Sequence, residues 1–123
     1  MIQAVRTLVS VDDHAGFRSS ARELLELDEF EVVGEAGDGA GALEAVARLD
    51  PEVVLVDIGL PDMSGFDVAE RIAIADLHAV VVLISSRSTD QISVRLTGCG
   101  AAGFIAKDEL SGAALEALLA GSR

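Results

Sequence analysis

Residues 53–57 read VVLVD and residues 80–86 read VVVLISS. Side chains alternate faces along a strand, so a half-exposed strand shows alternating polarity. These two stretches do not alternate. Their unbroken apolar runs, Val53 to Val56 and Val80 to Ile84, fit strands buried on both faces, as in a parallel sheet covered by helices on either side. Working outward, further short apolar runs stand at 4–11 (AVRTLVSV), 32–36 and 104–106. Between the runs the period becomes helical. Phe17, Ala21, Leu24 and Leu25 fall at i, i+4, i+7 and i+8, whereas Leu43, Val46 and Ala47, and again Leu115, Leu118 and Leu119, fall at i, i+3 and i+4. Gly34, Gly37, Gly39, Gly59, Gly65, Gly98, Gly100 and Gly103 punctuate the pattern, mostly at junctions where a turn calls for positive φ. Five strands alternating with about five helices predict a doubly wound α/β domain spanning 1–123, with no linker or repeat.

Composition narrows the function. A chain of 123 residues suits one domain with a real core, since half of it is apolar. Its 21 acidic and 9 basic side chains give a net charge of -12, which argues against nucleic acid or an anionic membrane as the direct partner. One Cys excludes an internal disulfide framework and suits a reducing compartment. No apolar run approaches the ~18 residues of a membrane span, and the N-terminus lacks a signal-peptide core. These features predict a cytoplasmic domain.

In an open parallel sheet, ligands bind beyond the carboxyl ends of the strands. The first strand ends in Asp12 and Asp13, the third in Asp57, the fourth in Ser85 and Ser86, and the fifth in Lys107, the only Lys in the molecule. Each has an ordinary reading: helix capping for the aspartates, a turn for Asp57, strand termination for the serines, a solvated surface for Lys107. Together they would converge on one edge. Three carboxylates in one crevice repel each other unless a cation intervenes, and oxygen ligands suit Mg²⁺. A carboxylate such as Asp57, held between a metal and an ammonium, is a plausible nucleophile toward phosphorus.

This set, with the strings VDDH at 11–14 followed by FR at 17–18, VDIGLPDMSGFD at 56–67, VVVLISSR at 80–87 and GFIAKDEL at 103–110, resembles the receiver domain of bacterial two-component response regulators. The wording is closest to the NarL/FixJ-like branch, and the resemblance covers essentially the whole chain. It implies a flavodoxin-like (βα)5 fold in three layers. It implies that Asp57 accepts a phosphoryl group from a sensor histidine kinase and that Asp12, Asp13, Asp57 and the backbone carbonyl of Gly59 organise Mg²⁺. Ser85 and Lys107 would contact the phosphoryl oxygens, and Phe104 would be the aromatic switch that follows Ser85. The domain would assist its own phosphorylation and dephosphorylation without being a turnover enzyme. Its output would pass to a downstream protein, to an output domain lying outside this sequence, or through a phosphorylation-dependent dimer. A stand-alone receiver is the expectation.

The match has departures. Lys107 precedes Asp108 where Pro is common, and Gly59 and Arg87 occupy positions that influence phosphoryl lifetime in the family. The helix between the fourth and fifth strands, the fifth strand and the last helix would form the output face; Arg18 and Arg22 on the first helix would face the kinase. Two rival readings remain. Gly37, Gly39 and Ala42, with Asp57 further on, spell a dinucleotide-binding G-x-G-x-x-A. An aspartate-nucleophile phosphatase would use similar groups, but needs an acid where Gly59 stands. His14, His78 and Cys99 read as structural.

Overall fold

The computed structural model describes residues 6–75, 77–86 and 98–121. Arg87 and the helix expected after the fourth strand lie outside the described residues. Five strands, β1 (Arg6–Val11), β2 (Phe30–Ala36), β3 (Val53–Asp57), β4 (Val80–Ser85) and β5 (Gly103–Ala106), form one sheet in the order β2-β1-β3-β4-β5. Every pairing is parallel. The described helices are α1 (Ala15–Glu26), α2 (Gly39–Leu49), α3 (Gly65–Ile74) and α4 (Gly112–Gly121), with a 3-10 turn at Lys107–Glu109. None is long and apolar enough to cross a membrane.

The two apolar runs divide their side chains between two cores, as an absence of alternation requires. Val54, Val56, Val81 and Leu83 pack with Ala42, Val46, Phe66 and Ile72 under α2 and α3. Val53, Leu55, Val82 and Ile84 pack with Leu25, Leu115 and Leu119 under α1 and α4. Each fully buried side chain of this size contributes about 1.5–3 kcal/mol by leaving water, so the sheet is stabilised from both sides and its edges are left for chemistry.

From β1 the chain steps outward to β2, then crosses back to β3 and proceeds the other way. The order therefore reverses between β1 and β3, and a crevice opens beyond their carboxyl ends. Asp12 follows the first of these strands and Asp57 closes the second.

The glycines act differently from the expectation. Among the described residues, positive φ occurs at Glu29, Asp50 and only one glycine, Gly100. Asp50 takes it as the left-handed C-cap of α2. At several other positions the glycine lets two elements touch. A Cβ on Gly65 would lie 2.7 Å from the carbonyl oxygen of Asp57 and 2.9 Å from Ile58 Cα, both backbone atoms that cannot swing away. Gly65→Ala therefore pushes the start of α3 off the end of β3. We expect a loss of about 1–3 kcal/mol, read as a lower urea midpoint, together with weakened Mg²⁺ binding. Unchanged stability would show that this contact relaxes freely.

Candidate functional site

Asp12 is fully buried, Asp57 is buried and Asp13 is exposed at the rim. Neither Asp12 nor Asp13 caps α1. Its N-cap is His14, which makes no side-chain cap bond, while Asp12 Oδ1 accepts from the His14 backbone N–H at 2.8 Å. Asp57 Oδ1 accepts weakly from the Gly59 N–H at 3.3 Å. The loop after Asp57 is held by a bridge between Gly59 and Ser64, and Ser64 with Asp67 forms a reciprocal capping box at the start of α3.

Lys107 reaches in from the end of β5. Its Nζ lies 2.6 Å from Asp12 Oδ2 and 3.3 Å from Asp57 Oδ2, with the side chain 16% exposed. The same ammonium sits 4.6 Å from the centre of the Phe17 ring, a cation–π contact that also shields it from water. Burial alone would pull the ammonium pKa down. The close contact with Asp12 and the charges of Asp57 and Asp12 outweigh it, and the pKa is raised. Lys107 is thus a fixed cation at neutral pH.

A cavity of about 370 Å³ opens here, lined by His14, Asp57, Ile58, Gly59, Ser85, Ser86 and Lys107. Ser85 is buried at the end of β4, and Ser86 is exposed beside it. Phe104 is half-buried in β5, opposite Leu83, against the core beneath α2 and α3. The structure therefore brings together every predicted site residue except Phe104, which stands behind the cavity in the packed layer.

The donor set fits a hard divalent cation. Oxygens of Asp12, Asp13 and Asp57 and a nitrogen of His14 lie within 4.8 Å of one another. Asp12 Oδ2 is buried without a properly directed hydrogen bond, although Lys107 sits close enough to pair with it. Three carboxylates against one ammonium leave the crevice electrically negative, and a divalent ion would balance it.

The dinucleotide-like string has a different use. Asp38 caps α2 by accepting from the Gly41 N–H at 2.7 Å. Asp62, arriving from the loop after β3, accepts from Gly39 N–H at 2.8 Å and Ala40 N–H at 3.0 Å. These bonds, Gly39's foremost, hold the Asp62 carboxyl below its usual pKa. Met63 lies where a Cβ on Gly39 would be. The amides that would cradle a pyrophosphate are already bound to a carboxylate.

Arg18 and Arg22 are likewise committed within the chain. Both pair with Glu35 of β2, at 2.9 and 2.8 Å. Arg18 also donates to the Asp12 carbonyl, and Arg22 to the Val32 carbonyl. Hydrogen bonding by Arg22 lowers the Glu35 pKa, and with help from Arg18 it outweighs the opposing effect of burial. This cluster fixes α1 to β2 and steadies the turn carrying Asp12 and Asp13.

Sequence reasoning passed over three residues: His14 and Phe17, now placed at or beside the crevice, and Asp62, which fastens the start of α2. Adjacency to Asp12 and Asp13 was the available signal for His14. Phe17 read only as core. Asp62 carried no local signal, because its partners lie more than twenty residues away.

Comparison with known proteins agrees with this geometry. The family described as "Response regulator receiver domain" matches residues 8–119. The nitrate/nitrite response regulator protein NarP of Escherichia coli (strain K12) is 38% identical over 114 residues, covering 92% of this chain and 53% of that protein. The probable transcriptional regulatory protein NarL of Mycobacterium tuberculosis is 38% identical over 118 residues, covering 95% and 54%. The chain thus spans about half the length of the curated relatives it matches. The signal receiver domain of the putative response regulator NarL from Mycobacterium tuberculosis superposes with a TM-score of 0.86 at 36% identity, covering 95% of this chain and 98% of that one. A two-component response regulator of the LuxR family from Aurantimonas sp. gives 0.87 at 28% identity, covering 96% and 87%. The sheet order, the strand-end carboxylates and these matches agree: the chain belongs to the response regulator receiver domain family, whose members are phosphorylation-controlled signalling modules and generally not catalytic enzymes.

Proposed function

We propose that residues 1–123 form one receiver domain in which Asp57 accepts a phosphoryl group from a phosphohistidine of a sensor histidine kinase. The observation that carries this reading is the single ammonium of Lys107 shared by Asp12 Oδ2 and Asp57 Oδ2 at the mouth of the 370 Å³ cavity. A carboxylate oxygen of Asp57 forms the new O–P bond as the N–P bond of the donor breaks, and the departing imidazole keeps the electron pair and takes a proton from solvent. Asp12, Asp13, Asp57 and the Gly59 carbonyl would hold Mg²⁺, which supplies neutralisation of charge on the phosphoryl oxygens. Lys107 keeps one face of the crevice cationic throughout. Ser85, buried at the rim, would then bond a phosphoryl oxygen, and Phe104 would repack as Ser85 moves, altering the surface around β5 and α4. The domain assists its own phosphorylation and hydrolysis through the same groups.

The signal would pass to a downstream protein, to an output domain of a longer regulator, or into a phosphorylation-dependent dimer. The net charge of -12 favours protein contact over direct binding of nucleic acid by these residues. A cytoplasmic location accords with the single Cys.

Stoichiometry separates this reading from the phosphatase one. On incubation with a small acyl phosphate and Mg²⁺, we expect one hydroxylamine-labile phosphoryl group per chain, and none in excess chelator. Steady turnover of phosphate esters without an adduct would favour the phosphatase.

A further inference from the structure

We infer that His14 is a direct ligand of the cation held by Asp12, Asp13 and Asp57, giving the site a nitrogen donor that favours imidazole-binding divalent ions over Mg²⁺. The inference rests on the carboxylates forming a cation site, and it adds a donor of different chemistry. His14 Nδ1 lies 3.3 Å from Asp12 Oδ1 and 3.0 Å from Asp13 Oδ1. In an octahedron with metal–ligand bonds of ~2.1 Å, neighbouring ligand atoms stand about 3.0 Å apart. The ring nitrogen is therefore spaced from both carboxylates like an adjacent ligand of one ion.

Two further observations point the same way. His14 occupies the N-cap of α1 yet makes no cap bond with its side chain. Its ring turns back over the strand-end carboxylates and lines the cavity with Asp57 and Lys107. Asp12, fully buried, turns Oδ1 toward the His14 ring while its Oδ2 faces the Lys107 ammonium. The His14 side chain is 73% exposed, so it swings onto an incoming ion without disturbing the core. Coordination uses the Nδ1 lone pair, and any proton carried on that nitrogen passes to solvent.

Hard Mg²⁺ gains little from an imidazole and keeps water there instead, whereas Ni²⁺, which accepts octahedral geometry and prefers nitrogen, gains directly. The test is calorimetric titration of the full, untagged chain with Mg²⁺ and separately with Ni²⁺, in the parent, His14→Ala and His14→Phe. His78→Ala is the control, since His78 lines a separate cavity with Arg6, Glu52 and Leu119. We expect both His14 variants to weaken Ni²⁺ by at least about tenfold, with Mg²⁺ affinity nearly unchanged and the control like the parent. Equal weakening of both ions would overturn the inference by showing that His14 only shapes the turn. Unchanged Ni²⁺ affinity, with Mg²⁺ still bound, would overturn it as well while leaving the carboxylate site standing. A parent that binds neither ion would overturn the cation site itself.

Discussion

In Lys107→Met the magnesium-free protein loses about 3–5 kcal/mol of stability, the usual result of removing one partner from a buried charge pair. Asp12 is fully buried and its Oδ2 depends on Lys107 Nζ at 2.6 Å. Without the ammonium, Asp12 and Asp57 face each other with no compensating cation. For a domain of this size the loss lowers the thermal midpoint by roughly 10 °C or more. Adding Mg²⁺ recovers much of it, because the ion neutralises the same oxygens. Urea melts of parent and variant, with chelator and with Mg²⁺, measure both effects. Equal stability in chelator would mean that the ion pair contributes nothing to the folded state.

The pH dependence has a definite sign. The folded Lys107 pKa is raised, so its stabilisation is fully present below the unfolded lysine value and fades only as pH rises through the higher folded one. The stability gap between parent and Lys107→Met should stay constant from neutral pH into the mildly alkaline range and close beyond the ordinary lysine range. A gap closing near pH 8 would contradict the direction of this shift.

Much of the architecture was legible because parallel sheets leave a coarse mark. VVLV and VVVLI do not alternate, and their side chains divide between two cores. Strand ends in such a sheet share one edge, so reading only the last polar residue of each run brought Asp12, Asp57, Ser85 and Lys107 together. The strand boundaries moved outward by a residue or two: β2 begins at Phe30, β4 ends at Ser85 and β5 begins at Gly103.

What stayed hidden depends on long-range placement. Asp62 caps a helix that starts 23 residues before it, and this contact turns a nucleotide-like glycine string into a helix start. The arginines of α1 read as docking charges, and their shared pairing with Glu35 on the edge strand was not legible. His14 read as structural because it makes no plausible metal pair with His78 and Cys99, yet its ring lies 3.3 and 3.0 Å from the Asp12 and Asp13 carboxylates. Glycines read as turn-formers serve close packing at Gly34, Gly39, Gly65 and Gly103.

Asp57→Asn has the largest expected effect, complete loss of phosphorylation. The amide is nearly the same size and can still accept from the Gly59 N–H, so the fold and cavity should survive. It lacks the charge and the nucleophilic oxygen that phosphoryl transfer requires. Asp12 and Asp13 remain in place but do not substitute, since Asp12 is fully buried against Lys107 and Asp13 is exposed at the rim beside His14. Intact mass after incubation with a small acyl phosphate and Mg²⁺, in parent and Asp57→Asn side by side, tests the account most directly. It predicts a gain of one phosphoryl group in the parent and none in the variant; an adduct of equal yield in Asp57→Asn, or no adduct in the parent, would contradict it.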